Sequence, residues 1–492
     1  MTGNYVGSIL AALAVEPDTV ACVQPDGTEV RRGELATLVH RMARGLADRG
    51  VGPGSTVTTL SANRAEVLAA RYAVSLLGAR VVGLYEGVAA AVQAAIVSDV
   101  DTDVLLVDPD LAVRAKELGE LTSVPLTLTL DELPAADATP LTPCPVGDDD
   151  LFCIRHTGGT TGHPKGIPWS FRTHAGIVEF MSVLVHPDTV QLVCTTLAHI
   201  AGMSADAVLL AGGKLVLLAR FDTAKVLARV ERYRVTDLIV LPPLLYALMD
   251  HPAVDEHDLS SLRRVNYGGC PASPERIRAA MERFGPVLIQ AYGTNEAGVI
   301  ARLSAEEHQR PELIETAGRP LPGVEVAIRD ERGRDLPAGE RGEVCVRSAV
   351  GATRYWRNPE LTAQVFRDGW VHTGDVGFLD EEGYLHLSGR IKDMIIVVGG
   401  HAYPAELEDV LLGYDAVAEV AVFGVPDEDR LERIHVAARP APGRTITLDE
   451  VREFVTARMG AMYAPHALRL VDEIPLTDIG KPDLKLLRAA AG

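Results

Sequence analysis

Cysteine is scarce in this chain of 492 residues, and the six cysteines are scattered without a Cys-x-x-Cys pair. Zinc modules and disulfide-stapled secreted domains need closely spaced cysteines, so the sequence predicts neither kind of site. Isolated thiols are typical of a reducing compartment. The N-terminus also lacks a basic stretch followed by an apolar core, so we expect no signal peptide and a cytoplasmic location.

Positive charge is outweighed as well, because 47 Lys and Arg accompany 67 Asp and Glu, for a formal net charge of −20. Such an excess of acid argues against nucleic acid and against anionic membranes as partners. No apolar run reaches transmembrane length, since Asp206 and Lys214 interrupt the best candidate at 200–219. The hydrophobic content of 47% supplies a buried core, and the length allows about three domains or fewer large ones.

Lysine is the rarer cation, because only seven of the 47 basic residues are lysines. Arginine therefore supplies most of the general surface charge. A lysine is then expected where a compact point charge is needed. Three of the seven, Lys165, Lys392 and Lys481, fall inside the motifs described below.

The most informative stretch is 156–166, which reads His-Thr-Gly-Gly-Thr-Thr-Gly-His-Pro-Lys-Gly. Its glycines let backbone N–H groups turn toward an anion, and the threonines and the lysine add donors. The apolar run 151–154 precedes it and a helix is predicted near Phe171, so we predict a strand–loop–helix cradle for phosphate. Two residues separate Gly162 from Lys165, which excludes a Walker A loop. A flexible surface turn, the alternative, needs no terminal lysine.

The rest of the chain predicts an α/β fold with one large and one small unit. Alternating strands and helices over the first 140 residues and again over 190–300 indicate doubly wound, mostly parallel sheets. Short strands and turns from about 320 to 388 indicate a β-rich subdomain. The last 100 residues predict a small α+β unit. Helices are predicted at 32–49, 66–77, 223–233, 274–284, 404–412 and 448–459, and strands at 191–195, 215–218, 237–241, 287–291, 324–329, 342–347, 384–388, 417–425 and 434–439.

Six segments occur in the order and spacing of one family. They are the loop at 157–166, Ala-Tyr-Gly-Thr-Asn-Glu at 291–296, Gly-Arg-Pro at 318–320, Trp-Val-His-Thr-Gly-Asp at 370–375, Gly-Arg-Ile-Lys-Asp at 389–393, and Gly-Lys at 480–481. Together they resemble the AMP-forming acyl-CoA synthetase superfamily, which also contains peptide-synthetase adenylation domains and beetle luciferases. The resemblance extends from about residue 15 to 488.

The resemblance implies a large adenylate-binding domain at 1–388, a hinge at 389–393 and a small mobile domain at 394–492. It also implies three bound groups: ATP or AMP, Mg²⁺ and coenzyme A. Glu296 resembles the magnesium carboxylate, and magnesium favours such hard oxygens. The positions that resemble nucleotide-binding residues are Thr157, Gly158, Gly159, Thr160, Thr161, Gly162 and Lys165 for the phosphates, Asp375 and Arg390 for the ribose, and Gly268, Gly269, Cys270, Pro271, Ala291, Tyr292, Gly293, Thr294 and Asn295 around the adenine and the α-phosphate.

The resemblance also predicts how the reaction proceeds. Lys481 matches a lysine that reaches the carboxylate and the α-phosphate, and Lys392 matches the residue about which the small domain rotates. After rotation, Gly399, Gly400 and His401 would face the acyl-adenylate and admit the pantetheine arm of coenzyme A. His199 matches a segment beside the carboxylate, although a lone histidine among apolar residues is as often a core residue.

Two positions depart from the family pattern. Asn295 stands where a hydroxyl residue contacts the α-phosphate, and an amide has a different reach and angle. His401 stands where asparagine is common, near the expected thiol tunnel. Small residues at 201–202, 268–269 and 297–298 predict room for a bulky, apolar acyl group. No arginine is evident for a second carboxylate, so a dicarboxylic acid is not expected.

The sequence therefore predicts an acyl-CoA synthetase whose partners are a carboxylic acid, ATP and coenzyme A. Alternatives are an enzyme that only transfers a supplied acyl-adenylate to coenzyme A, one that loads a carrier protein, and a nucleotide-binding module without catalysis. Light emission is a further activity of the family that nothing in the sequence favours. The sequence leaves the oligomeric state open and is compatible with a homodimer.

Overall fold

The structure is a computed structural model that describes residues 4–157, 164–397, 400–426, 432–477 and 481–490. In these ranges, no helix combines the length and the apolar character needed to cross a membrane. The α-helices are α1 (Val6–Val15), α2 (Arg32–Ala47), α3 (Ala65–Leu76), α4 (Ala90–Asp99), α5 (Ala112–Leu121), α6 (Phe171–Ser182), α7 (Ile200–Leu210), α8 (Thr223–Tyr233), α9 (Pro242–Met249), α10 (Pro274–Phe284), α11 (Pro359–Val365), α12 (Pro404–Leu412), α13 (Leu448–Met459) and α14 (Leu484–Ala489).

The strands alternate with these helices over most of the chain. They are β1 (Val20–Val23), β2 (Glu29–Arg31), β3 (Thr56–Leu60), β4 (Arg80–Leu84), β5 (Val104–Val107), β6 (Leu126–Thr129), β7 (Leu151–Thr157), β8 (Lys165–Ser170), β9 (Val190–Val193), β10 (Lys214–Leu217), β11 (Asp237–Val240), β12 (Arg264–Gly268), β13 (Leu288–Thr294), β14 (Gly298–Leu303), β15 (Arg319–Pro320), β16 (Val324–Arg329), β17 (Gly342–Ser348), β18 (Phe366–Arg367), β19 (Trp370–Leu379), β20 (Leu385–Arg390), β21 (Ile395–Val397), β22 (Gly400–Ala402), β23 (Val417–Pro426), β24 (Glu432–Pro440) and β25 (Ala467–Leu470).

Two large sheets form the first part of the chain, and the predicted α/β fold is confirmed. The nine-stranded sheet has the order β15-β14-β13-β12-β11-β9-β10-β1-β2, and its inner pairs from β13 to β1 are parallel. The six-stranded sheet has the order β6-β5-β3-β4-β7-β8 and is parallel up to β7. Parallel neighbours require crossover connections, which the intervening helices supply.

The second half adds smaller sheets. Strands β16, β17, β19, β18 and β20 form the antiparallel sheet predicted as a β-rich subdomain. The C-terminal part contains the β21–β22 hairpin and a three-stranded sheet, β23-β24-β25. Helices α12 and α13 bury Leu407, Leu411, Val451 and Val455 in a hydrophobic cluster that belongs to this part alone.

Helix boundaries follow the capping signals in the sequence. The predicted bounds of α8, α10, α12 and α13 agree with the structure. The Asp222 side chain accepts from the Lys225 N–H at 3.0 Å, and Thr447 with Glu450 forms a capping box at α13. Pro274 and Pro404 occupy first-turn positions, where a missing N–H costs nothing.

The predicted strand–loop–helix cradle is wrong in one respect. The chain returns from the loop as β8, antiparallel to β7, and only then enters α6. Its four central residues, 166–169, are all buried, so both faces of β8 are covered. Pro168 is tolerated because β8 is the edge of the six-stranded sheet and needs no further partner there. Strands β7 and β8 therefore pair as neighbours before α6 begins, and residues 158–163 of the predicted loop lie outside the described residues.

A charged cluster is buried where α1, α3, α6 and α7 meet. The Asp206 carboxylate on α7 accepts from Tyr72 Oη at 2.6 Å and from Tyr5 Oη at 3.3 Å. Arg71 Nη2 lies 3.3 Å from the same carboxylate, and His174 Nε2 lies at 3.0 Å. Burial lowers the pKa of His174 to about 4, so the imidazole is neutral and donates from Nε2. The cluster ties α7 to three other helices.

Candidate active site

Asp375 on β19 is the centre of the site. Its Oδ2 accepts a 2.6 Å hydrogen bond from Tyr292 Oη, and its Oδ1 lies 2.8 Å from Arg390 Nε. Antiparallel pairing of β19 with β20 places Asp375 opposite Arg390. Burial raises the pKa of the Asp375 carboxyl, which the Arg390 cation opposes. Asp375 thus contacts both Arg390, the other residue predicted for the ribose, and Tyr292, which is predicted near the adenine.

Glu296 follows β13 in the turn that leads to β14. Its Oε1 accepts a 2.6 Å hydrogen bond from Tyr355 Oη, and its backbone carbonyl accepts from the Ala352 N–H at 2.7 Å. The side chain is only partly buried. A carboxylate with one oxygen oriented by a phenol retains the other oxygen for a cation. A carboxylate oxygen is a hard donor, so Glu296 fits the magnesium ion that the sequence predicts.

The neighbouring Asn295 and Thr294 hold this turn in place. The Asn295 carbonyl accepts the indole N–H of Trp169 at 3.0 Å, and Thr294 Oγ1 accepts the Ala297 N–H at 3.0 Å. The Asn295 side chain opposes the lowering of the His199 pKa. The two side chains therefore lie close to each other.

His199 directly precedes α7, the helix held by Asp206. Burial lowers the pKa of His199 to about 3, and the cations Arg155 and Lys481 add to the effect. The imidazole is therefore neutral at physiological pH. Its ring centroid lies 6.3 Å from that of Tyr85. The residue is partly buried and lies within electrostatic range of Arg155 and Lys481.

Lys481 enters the site from the C-terminal part of the chain. Its N–H donates to Thr477 Oγ1 at 3.2 Å, and the charges of Cys270, Arg390 and Asp375 act on its ammonium group. Burial lowers the pKa of Lys481, and the carboxylate of Asp375 opposes this shift. Burial likewise raises the pKa of Cys270 to about 11, which Lys481 opposes. The C-terminal lysine and the predicted adenine loop are thus neighbours in space.

Further cations surround the same centre. Desolvation lowers the pKa of Lys392, and the nearby cations Arg390, Lys165 and Lys481 act in the same direction. Lys165 begins β8, and its Nζ lies 6.0 Å from the Tyr355 ring centroid. A concentration of cations in a chain with a net charge of −20 is suited to a polyanion such as a nucleoside triphosphate.

Close backbone approach explains two of the predicted glycines. A Cβ at Gly268 would collide with the Ala291 carbonyl, and a Cβ at Gly293 would collide with the Gly298 carbonyl. Gly269 has φ +86°, a conformation that favours glycine. Pro271 follows in the same exposed turn. Glycine at 268 therefore allows β12 to approach β13, and glycine at 293 allows β13 to approach β14.

Some predicted positions lie outside the described residues: Gly158, Gly159, Thr160, Thr161, Gly162 and Gly399. For Thr157, Gly400 and His401, the structure describes the backbone alone, as the end of β7 and as part of β22. The described site also contains residues that the sequence did not suggest. Tyr355 lies 59 positions from Glu296, and no spacing links the two. Trp169 and Arg155 are equally unmarked.

Comparisons with known proteins agree with this geometry. The AMP-binding enzyme family matches residues 10–356, and the AMP-binding enzyme C-terminal domain matches residues 406–481. A medium/long-chain-fatty-acid–CoA ligase of Mycobacterium tuberculosis is 34% identical over 94% of this chain and 86% of its own length. A feruloyl-CoA synthase of an Amycolatopsis species is 36% identical over 93% of both chains. The solved structure of an amide bond synthetase from Marinactinospora thermotolerans aligns with a TM-score of 0.91 at 37% identity, over 99% of both chains.

Proposed function

Because the chain belongs to the AMP-binding enzyme family of adenylate-forming ligases, we propose that it joins a carboxylic acid to coenzyme A through an acyl-adenylate. One observation carries this proposal. The charges of Asp375 and Cys270 act on the pKa of Lys481, near the C-terminus, and the charge of Lys481 acts on the pKa of His199, so Lys481 is within electrostatic range of three separate segments of the large unit. A cation at that point can interact with both the carboxylate of the acid substrate and the α-phosphate of ATP.

The first half-reaction brings two anions together. The carboxylate attacks the α-phosphorus of ATP, the acyl-adenylate forms, and diphosphate leaves. The ammonium groups of Lys165 and Lys481 and the guanidinium of Arg390 offset the negative charge. His199 adds no charge because its pKa is lowered to about 3, so it borders the carboxylate as a neutral hydrogen-bonding group.

Asp375 and Glu296 would orient the nucleotide. Tyr292 and Arg390 each contact one oxygen of Asp375, and the remaining lone pair on each oxygen could accept a ribose hydroxyl. Glu296, with Tyr355 on one oxygen, would hold Mg²⁺ with the other. The ion, when bound, would neutralise phosphate charge. The phenol of Tyr355 orients the carboxylate for this role.

The second half-reaction needs a different arrangement of the small unit. We assign the large domain to 1–388, the hinge to 389–393 and the mobile domain to 394–492. Rotation about Lys392 would withdraw Lys481 and bring Gly399, Gly400 and His401 to the acyl-adenylate, where the thiolate displaces AMP. The separate hydrophobic cluster of α12 and α13 supports movement of this unit as a body.

A second acceptor is supported by one comparison. The amide bond synthetase covers 99% of this chain at 37% identity, so an amine is a candidate acceptor beside coenzyme A. The ligases of fatty acids and of ferulic acid support an apolar acid with a long or aromatic body. Carrier-protein loading and a homodimeric assembly remain further proposals. The six cysteines are free thiols, in keeping with a cytoplasmic enzyme.

The decisive experiment separates the two half-reactions. Lys481→Ala should abolish acyl-adenylate formation, measured by exchange of labelled diphosphate into ATP, yet largely spare transfer from a synthetic acyl-adenylate to coenzyme A. Lys485→Ala is the matched control, because Lys485 is an exposed lysine four residues further on. Equal loss of both half-reactions in Lys481→Ala would contradict the role given to this lysine. The same transfer assay, with amines in place of coenzyme A, shows which acceptor receives the acyl group.

A further inference from the structure

Asp375 lies in an irregular part of β19. Strands β17 and β19 are antiparallel, and their pairing places Glu343 opposite Val376 and Cys345 opposite His372. Between these two pairs, β17 advances by two residues and β19 by four, so the extra residues of β19, which include Asp375, form a bulge. A bulge redirects side chains, and bulges are frequent beside active sites. The conformation of this bulge therefore decides where the Asp375 carboxylate points.

Two side chains hold the bulge in its conformation. Thr373 Oγ1 donates to the Val344 carbonyl at 2.7 Å and accepts the Asp375 N–H at 3.0 Å. Gly374 has φ +70°, a left-handed conformation that favours glycine. Its N–H donates to Glu343 Oε1 at 3.2 Å. The Glu343 side chain on β17 thus holds the residue immediately before Asp375.

The other oxygen of Glu343 is held as well. His372 Nδ1 lies 2.7 Å from Glu343 Oε2, and Arg367 Nη2 lies 3.8 Å from the same oxygen and 2.7 Å from His372 Nδ1. The side chains of Glu343 and His372 are 19% and 9% exposed, so little water competes for these contacts. A side chain held at both ends of its polar group is a well-defined acceptor, as a residue that supports a functional site has to be. The N–H of Gly374 therefore meets an oxygen whose position is fixed.

Glu343 differs from the other partners of Asp375 in the part of the residue that it controls. Tyr292 and Arg390 contact the carboxylate oxygens themselves. Glu343 contacts the backbone of Gly374, so it leaves every lone pair of the Asp375 carboxylate for other partners. Hydrogen bonds weaken steeply when their angle departs from linearity. A carboxylate that has to accept ribose hydroxyls therefore benefits from a support that fixes its direction without occupying its oxygens.

We propose that Glu343 is a positioning residue of the nucleotide site, which directs the Asp375 carboxylate to the ribose hydroxyls by fixing the bulge of β19. The proposal rests on the ribose role proposed above for Asp375 and adds the residue that maintains it. Glu343 acts through the backbone of Gly374 and is not itself a catalytic residue. No spacing marks Glu343 in the sequence, because the bulge exists only once β17 and β19 pair.

The test compares AMP with 2′,3′-dideoxy-AMP, which lacks both ribose hydroxyls. Calorimetric titration of the full chain gives the dissociation constant of each nucleotide, and the ratio of the two constants measures what the hydroxyls contribute. The wild type should bind AMP about ten- to hundredfold more tightly, as expected for hydrogen bonds to a charged group. Glu343→Met removes the acceptor for the Gly374 N–H and should lower this preference about tenfold. Glu343→Gln keeps an oxygen that can accept the same N–H, so its preference should stay within about threefold of wild type.

Glu325→Met is the matched control, because Glu325 lies in the same sheet, on β16, with an exposed side chain that pairs with Arg347. Its preference for AMP should equal that of the wild type. If Glu343→Met does not fold, Glu343→Asp replaces it. That variant keeps a negative charge beside Arg367, but its carboxylate is one methylene short of Gly374, so the preference should fall as well.

Three outcomes would overturn the proposal. The first is an unchanged preference in the variant that lacks the Gly374 contact, and the second is an equal loss of affinity for AMP and dideoxy-AMP, which indicates a structural role alone. The third is a loss in Glu343→Gln as large as in Glu343→Met, which would assign the effect to charge. Equal binding of both nucleotides by the wild type would contradict the ribose role of Asp375 and the proposal with it. Absence of AMP and ATP binding to the wild type would instead contradict the proposed function.

Discussion

The buried carboxylate of Asp206 supports the helix that carries His199, so its removal should affect stability first. Asp206→Asn keeps the shape of the side chain but deletes its charge. Arg71 then remains buried without a counter-ion, and the donors of Tyr72 and His174 compete for one carbonyl oxygen. Both charged side chains are almost fully buried, at 8% and 0% exposure, so solvent cannot replace the lost partner.

The size of the effect follows from burial. Breaking a buried ion pair from one side costs about 3–5 kcal/mol. Unfolding entropy is about 2.1 cal/mol/K per residue, or roughly 1 kcal/mol/K for a chain of 492 residues. The melting temperature should therefore fall by about 3–5 °C. Asp188→Asn is the control, since Asp188 pairs with Arg263 at 2.6 Å with both side chains more than half exposed. That surface pair contributes about 0–1 kcal/mol, so the shift should stay below about 1 °C.

Scanning calorimetry at pH 7 and low salt measures both variants beside the wild type. A shift in Asp206→Asn no larger than that in Asp188→Asn would refute the reasoning. It would mean that the four donors around Asp206 find other partners when its charge is removed. If the melting temperature of Asp206→Asn falls as expected and acyl-adenylate formation stays normal, Asp206 contributes to stability alone. If acyl-adenylate formation is lost as well, Asp206 also positions His199.

Two further predictions concern acid pH and the ribose contact. His174 has a pKa of about 4 when folded and about 6.5 when unfolded, so the unfolded chain binds the extra proton and stability falls as pH drops from 6.5 to 4. The decrease approaches about 3 kcal/mol, and urea midpoints that do not change over this range would contradict it. Arg390→Met removes the 2.8 Å partner of Asp375, and calorimetric titration should show AMP binding about ten- to hundredfold weaker. The exposed Arg334→Met should bind AMP normally, and an affinity for Arg390→Met within threefold of wild type would exclude the ribose role.

Local signals in the sequence predicted most of the fold. The helices Thr223–Tyr233, Pro274–Phe284, Pro404–Leu412 and Leu448–Met459 were predicted with their observed bounds, because caps and first-turn prolines act within a few residues. The strand Val324–Arg329 was also predicted with its observed bounds, whereas the ends of other strands differ by up to three residues, since pairing partners rather than local sequence decide where a ladder stops. The strand β8 was missed because its pattern, Lys-Gly-Ile-Pro-Trp-Ser, contains the proline and glycine of a loop, which only an edge position tolerates.

The sequence by itself determined the order of the motifs and the types of residue at the candidate site. These are a loop suited to phosphate, a carboxylate predicted to bind magnesium, a carboxylate predicted to bind ribose, and a lysine near the C-terminus. These are encoded by residue type and local spacing. Only the tertiary structure decided which of them meet, that Tyr355 orients Glu296, and that Asn295 lies close to His199. Such contacts join residues far apart in the chain, and their energies depend on burial and on neighbouring charge. Neither quantity exists before the sheets and helices pack together.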